Sequence, residues 1–95
     1  MPSATQHASH CPRQKQDYKL EALDGELLLY HVGETRIMHF NPTAALVWQL
    51  CQGDRTVEGI ARLLADAFPE SRESVHEDVT AMLHRFEEAG CIEWI

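Results

Sequence analysis

Basic residues are scarce in this chain: 8 lysines and arginines stand against 15 aspartates and glutamates, giving a formal net charge of −7. Such a surface repels phosphate backbones and anionic lipid, so nucleic-acid and membrane-surface roles lack the attraction that normally drives them. Cysteine is equally sparse. Cys11, Cys51 and Cys91 lie far apart and form no C-x-x-C pair, which excludes a disulfide framework or zinc ribbon and points to reduced thiols in a cytoplasmic protein. No apolar run approaches the roughly 20 residues of a membrane span, and the run Leu27 to Tyr30 stops at His31. The N-terminus lacks the apolar centre of a signal peptide. There is also no nucleophile elbow, phosphate loop or H-E-x-x-H pattern, so no enzyme activity and no cofactor are expected.

What remains is a chain of 95 residues, 44% hydrophobic and 24% charged, enough for one packed domain and too little for a large enclosed active site. Residues 1–16 are polar, carry Pro2 and Pro12 and hold few large apolar side chains; they are expected to form a flexible tail, with the domain over 17–95. The stretch His7 to Cys11 sets two imidazoles and a thiol close together. No second ligand set with structural spacing accompanies it, so no physiological metal site is expected.

From Tyr18 onward the pattern changes. Two strand-like runs, Tyr18 to Leu23 and Glu26 to His31, flank Asp24-Gly25, a pair suited to the positive φ angles of a type I′ hairpin turn. A further turn at Val32 to Thr35 leads into Arg36 to Phe40, predicting three antiparallel strands in sequence order. Alternation turns Met38 and Phe40 inward and leaves Arg36, His39 and the apolar Ile37 outward.

Asn41-Pro42 is a helix start, with Asn as cap and Pro at a position whose N–H has no partner to lose. The predicted helix over Thr43 to Cys51 carries Ala44, Val47, Trp48 and Cys51 on one face, with Gly53 as its left-handed stop. A second helix capped by Thr56 places Val57, Ile60, Leu63, Leu64, Ala67 and Phe68 on one stripe before Pro69. A third is predicted from a capping box at Ser74 to Glu77, with Val75, Val79, Met82, Leu83 and Phe86 at helical spacing up to Gly90. Cys91 to Ile95 fits either a short strand or an apolar segment packed on the body.

The phrase Phe40-Asn41-Pro42-Thr43-Ala44-Ala45-Leu46-Val47-Trp48-Gln49-Leu50-Cys51-Gln52-Gly53, followed by Arg55-Thr56-Val57 and Ile60, resembles the PqqD family. Leu28-Leu29-Tyr30, Asp78-Val79 and Ala89-Gly90-Cys91-Ile92 extend the resemblance over Tyr18 to Trp94. It implies an α+β, winged-helix-like fold, a three-stranded antiparallel sheet followed by a three-helix bundle. It also implies a non-catalytic role: binding the leader region of a precursor peptide and presenting it to a modifying enzyme, such as a radical SAM enzyme. The pathway stays open among quinone cofactor assembly, lasso-type peptides and other modified peptides.

In such a domain the leader adds as a strand to an exposed sheet edge, where backbone groups bind any extended peptide and side-chain pockets select one. Carried onto this sequence, the edge is Arg36, Ile37, Met38 and His39. The facing helix offers Val75, Asp78, Val79, Met82, Leu83, Arg85 and Phe86, with Met82 as an adaptable apolar surface and Asp78 and Arg85 as readers of charge.

Competing readings attach to the same residues. The stripe from Val75 to Phe86 serves equally as core, and Ile37 as an isolated surface residue. An exposed strand edge also suits pairing with a second copy of the chain, a homodimerising interaction domain. A winged-helix DNA-binding regulator is disfavoured, because the helix that would enter the groove carries Glu73, Glu77, Asp78, Glu87 and Glu88 against Arg72 and Arg85.

Overall fold

The structure, a computed structural model, describes residues 10–95. In chain order it contains strand β1 (Pro12–Gln14), strands β2 (Tyr18–Leu23), β3 (Glu26–His31) and β4 (Ile37–Phe40), helices α1 (Pro42–Gln49) and α2 (Val57–Ala67), a 3₁₀ turn (Pro69–Ser71), helix α3 (Arg72–Ala89) and strand β5 (Ile92–Trp94). The architecture is mixed α/β, with three helices and two antiparallel sheets: one of order β2-β3-β4, the other of β1 and β5.

Local chemistry explains most of these elements. Asp24 and Gly25 take φ values of 52° and 80°, the left-handed pair that matches a two-residue hairpin to strand twist, and Leu23 faces Glu26 across it. Asn41 caps α1 by accepting a hydrogen bond at Oδ1 from the Ala44 N–H at 2.7 Å, with Pro42 in the first turn. Thr56 caps α2 in the same way through Gly59 N–H at 3.1 Å. Gly90 closes α3 in the left-handed conformation.

The core lies between the inner face of the three-stranded sheet and the helices. Leu29, Val47, Trp48, Cys51, Ile60, Leu64, Val79, Leu83, Phe86, Cys91 and Ile92 are buried there, with Tyr18, Leu20, Met38 and Phe40 packed on them from the sheet. Each fully buried aliphatic side chain contributes about 1.5–3 kcal/mol of transfer free energy. Burial therefore decides which face of each element turns inward.

Four sequence expectations change. The tail assigned to residues 1–16 gives way at Pro12–Gln14 to β1, which pairs with β5 in the register Pro12 to Trp94 and Gln14 to Ile92. Pro12 is fully buried, Arg13 donates to Glu93 at 2.6 Å, and the Gln14 side chain donates to the Trp48 carbonyl at 3.0 Å. Residues 1–9, with His7 of the histidine stretch, lie outside the described residues.

The other three concern the helices. The expected capping box at Ser74 does not form: α3 starts at Arg72, directly after the 3₁₀ turn, and Ser74 Oγ donates to the Ser71 carbonyl instead. The stripe of α2 is wider than the face it packs with, so Ile60 and Leu64 are buried while Leu63 and Phe68 stay 37% and 39% exposed. Helix α1 ends at Gln49 with Leu50 as cap, short of Cys51. Gly53 is left-handed, with φ 81°, but it serves the terminal sheet: its N–H donates to the Pro12 carbonyl at 2.9 Å.

Candidate functional site

Strand β4 ends the three-stranded sheet, so among the described residues one of its edges has no partner strand. Register determines which backbone groups lie on it. His31 N–H donates to the Arg36 carbonyl, and β3 and β4 pair as Tyr30 to Ile37, Leu29 to Met38, Leu28 to His39 and Leu27 to Phe40. Hydrogen-bonded and non-bonded pairs alternate in an antiparallel ladder, so Met38 and Phe40 direct their backbone groups to β3. Ile37 and His39 direct theirs to the free edge. The side chains follow the same two-residue period: Met38 and Phe40 are half-buried against the core, whereas Ile37 is 62% exposed and His39 is exposed.

Helix α3 runs alongside β4 in the opposite direction. At one end Arg36 Nη2 donates to the Ala89 carbonyl at 3.1 Å, where a guanidinium also satisfies the negative end of the helix dipole. Further along, the rings of Phe40 and Phe86 stack with centroids 5.2 Å apart. Beyond Phe40 the line continues past the start of α1 to a hollow of about 150 Å³, lined by Thr43, Leu64, Phe68, Ser71, Val75, Asp78, Val79 and Met82. The strand edge and this hollow both border α3, the first toward its C-terminal end and the second toward its N-terminal half.

Polar groups border the strand edge without organising a reaction centre. Arg36 also approaches Glu34 at 3.9 Å, and His39 Nδ1 lies 3.1 Å from a Glu26 carboxylate oxygen across the sheet. The thiols of Cys51 and Cys91 are buried in the core beneath it. Burial pushes Cys51 up to about 12, reinforced by the neighbouring Cys91, and burial likewise pushes Cys91 up to about 11. Thiols held protonated in this way are poor nucleophiles and poor metal ligands.

The residues proposed from sequence separate into three groups. Arg36, Ile37, His39, Asp78 and Arg85 are exposed along the surface, and Met82 is half-buried beside them. Met38, Val75, Val79 and Phe86 support it from beneath, with Val75 and Val79 also lining the hollow. Leu83 is only 1% exposed and belongs to the core. Sequence periodicity missed Phe40 as the ring under the strand edge, and Thr43, Leu64, Phe68 and Ser71 as walls of the hollow. Only Phe68 gave a signal, as a large apolar residue at a helix end that Pro69 closes.

The family model for Coenzyme PQQ synthesis protein D (PqqD) matches residues 26–92, from the start of β3 into β5. The chain belongs to the PqqD family. The match spans the strand edge, α3 and the residues that line the hollow. Two solved structures share the fold of this PqqD-family chain. One, described as lasso peptide synthetase B1 complexed with the leader peptide, superposes with a TM-score of 0.71 at 20% identity, covering 86% of this chain and 96% of its own. The other, TbiB1 in complex with the TbiA(beta) leader peptide, has a TM-score of 0.69 at 16% identity and covers 85% of this chain and 94% of its own. None of the curated proteins matches the sequence.

Proposed function

We propose that this domain binds the leader region of a precursor peptide, without catalysing a reaction itself, and presents it to a separate modifying enzyme. The leader adds as a strand to the free edge of β4 and lies against α3. One observation carries this reading: Ile37 and His39 offer backbone donors and acceptors that β3 does not use, along an edge flanked by a helix with a half-buried methionine. Strand addition needs no more than that, because main-chain hydrogen bonds supply affinity and adjoining pockets supply selection. The two structural neighbours, both bound to leader peptides, support it.

Such a domain contributes to modification through effective concentration. Holding the leader beside the enzyme makes the encounter of enzyme and substrate nearly intramolecular. A radical SAM enzyme is the partner that the PqqD relationship favours, and the domain itself requires no cofactor. DNA binding is disfavoured by the exposed acidic side of α3, where Glu73, Glu77, Asp78, Glu87 and Glu88 all face solvent.

A titration of isotopically labelled domain with the leader of a precursor encoded beside its gene tests the proposal by amide NMR. Shifts clustered on Ile37–Phe40 and on residues 75–86 are the expected result. Absence of shifts at millimolar peptide, together with a concentration-dependent mass, would instead assign the same edge to pairing between two copies of the chain.

A further inference from the structure

The hollow beside α3 has mostly apolar walls, to which Thr43 and Ser71 add hydroxyl groups and Asp78 a charge. Leu64, Phe68, Val75, Val79 and Met82 make it apolar, while Asp78 lines it with a carboxylate. At about 150 Å³ it accepts a group near the size of benzene, a single side chain. Phe68 and Met82 remain partly open to solvent, so the hollow is reached from the surface.

Asp78 has no counter-ion among the described residues. Among the described residues no lysine, arginine or histidine pairs with it, and no hydrogen bond engages it. Its helical neighbours at three and four positions are Val75, Ala81, Ser74 and Met82, none of them basic, and the adjacent Glu77 adds charge of the same sign. An apolar side chain entering beside it would displace water from this carboxylate and return no hydrogen bond, and a neutral donor would return one without its charge, whereas a cation returns both.

We propose that the hollow is a specificity pocket for one lysine or arginine of the bound peptide, with the alkyl stem against Phe68, Val75 and Met82 and the cationic head at Asp78. This inference rests on the peptide-binding reading above and adds the identity of a residue that the peptide must carry. Long basic side chains are built for such a site, since their methylenes cover apolar surface while the charged end reaches the rim. The excess of acidic residues, with a net charge of −7, favours the same sign of ligand over the whole surface.

The test uses a display library of random dodecapeptides, selected on the full chain, on Asp78→Asn and on Asp78→Lys. Asp78 is exposed, so unchanged melting temperatures are expected for both variants. The wild type should enrich a lysine or arginine at one fixed position relative to the strand-forming residues. A synthetic peptide from that selection should bind Asp78→Asn about five- to tenfold more weakly, within the range of charge-assisted contacts that are partly open to solvent. Asp78→Lys should enrich aspartate or glutamate at the same position. Enrichment of leucine, tyrosine or another uncharged residue there in all three selections overturns the pocket assignment while leaving peptide binding intact. Failure of the wild type to enrich any peptide overturns both readings.

Discussion

Phe40 and Phe86 stack at a centroid separation of 5.2 Å with ring planes 27° apart, and this contact ties the edge strand to the helix that flanks it. Phe40 is half-buried and Phe86 buried, so their substitutions should differ in kind. Phe86→Ala removes a core ring and should cost about 3–5 kcal/mol of unfolding free energy, whereas Phe40→Ala should cost less. A double-mutant cycle with leucine at both positions should show a coupling of about 0.5–1.5 kcal/mol, the share due to ring stacking itself. Urea unfolding of the four proteins gives each value. Additivity within error would mean that the two elements are held together by other contacts.

The backbone direction of β4 permits a sharper test of the binding edge than side-chain substitution does. Ile37→Pro deletes an N–H that β3 does not use, and proline is tolerated at edge positions whose N–H faces solvent. The variant should stay folded, with amide spectra of β2 and β3 preserved, yet bind a leader peptide about three- to tenfold more weakly, as expected for loss of one main-chain hydrogen bond. Met38→Pro deletes an N–H that the register directs to β3 and should disrupt the sheet itself. Undiminished binding by Ile37→Pro would rule out strand addition at this edge.

Features written in adjacent residues were legible in the sequence. Asp24-Gly25, Asn41-Pro42, Thr56 and Gly90 each specify a turn or cap through their own backbone preferences, and each performs that role. Two-residue alternation also placed Ile37 outside and Met38 inside. Strand β1 was not legible, because Pro12 is its one fully buried side chain and its partners arrive from the far end of the chain, with Arg13 and Glu93 separated by 80 positions. The hollow was hidden for the same reason. Thr43 comes from α1, Leu64 and Phe68 from α2 and its C-cap, and Asp78 from α3, and no periodicity within one helix reports how three helices meet. At Ser74 a local signal misled: Pro69 opens a 3₁₀ turn that runs directly into α3, leaving Ser74 inside the first helical turn.

The terminal sheet gives the domain an unexpected dependence on its N-terminal segment. Gly53 sits with φ 81°, and a Cβ there would meet Ile95 Cδ1 at 2.8 Å and Arg13 Cδ at 3.3 Å. Gly53→Ala should therefore destabilise by more than about 1 kcal/mol, combining a left-handed backbone with contact against both terminal strands. Deleting residues 1–16 should lower the melting temperature further, since it exposes the β5 edge and removes the cover over Cys51 and Cys91. A truncated domain as stable as the full chain would show that β1 contributes nothing to folding.

Cys51 and Cys91 make a prediction in alkaline solution. Their ordinary pKa is 9.0, and burial, the leading cause for both, raises them to about 12 and about 11 in the fold. Below pH 9 both states keep both thiols protonated, and their contribution to stability is fully present. Above pH 9 the unfolded chain releases protons that the fold retains, so stability falls as pH rises toward 11 and 12. Chemical denaturation at pH 8, 9 and 10 should show this decline, and Cys51→Ala should flatten it relative to the wild type. At pH 8 a thiol reagent should label Cys11, which is partly exposed, in the native protein. Cys51 and Cys91 should react only at the rate of opening, because thiolate is the reacting form and both its formation and its access are blocked by the core. Fast labelling of all three cysteines under native conditions would contradict the burial of Cys51 and Cys91 in the core.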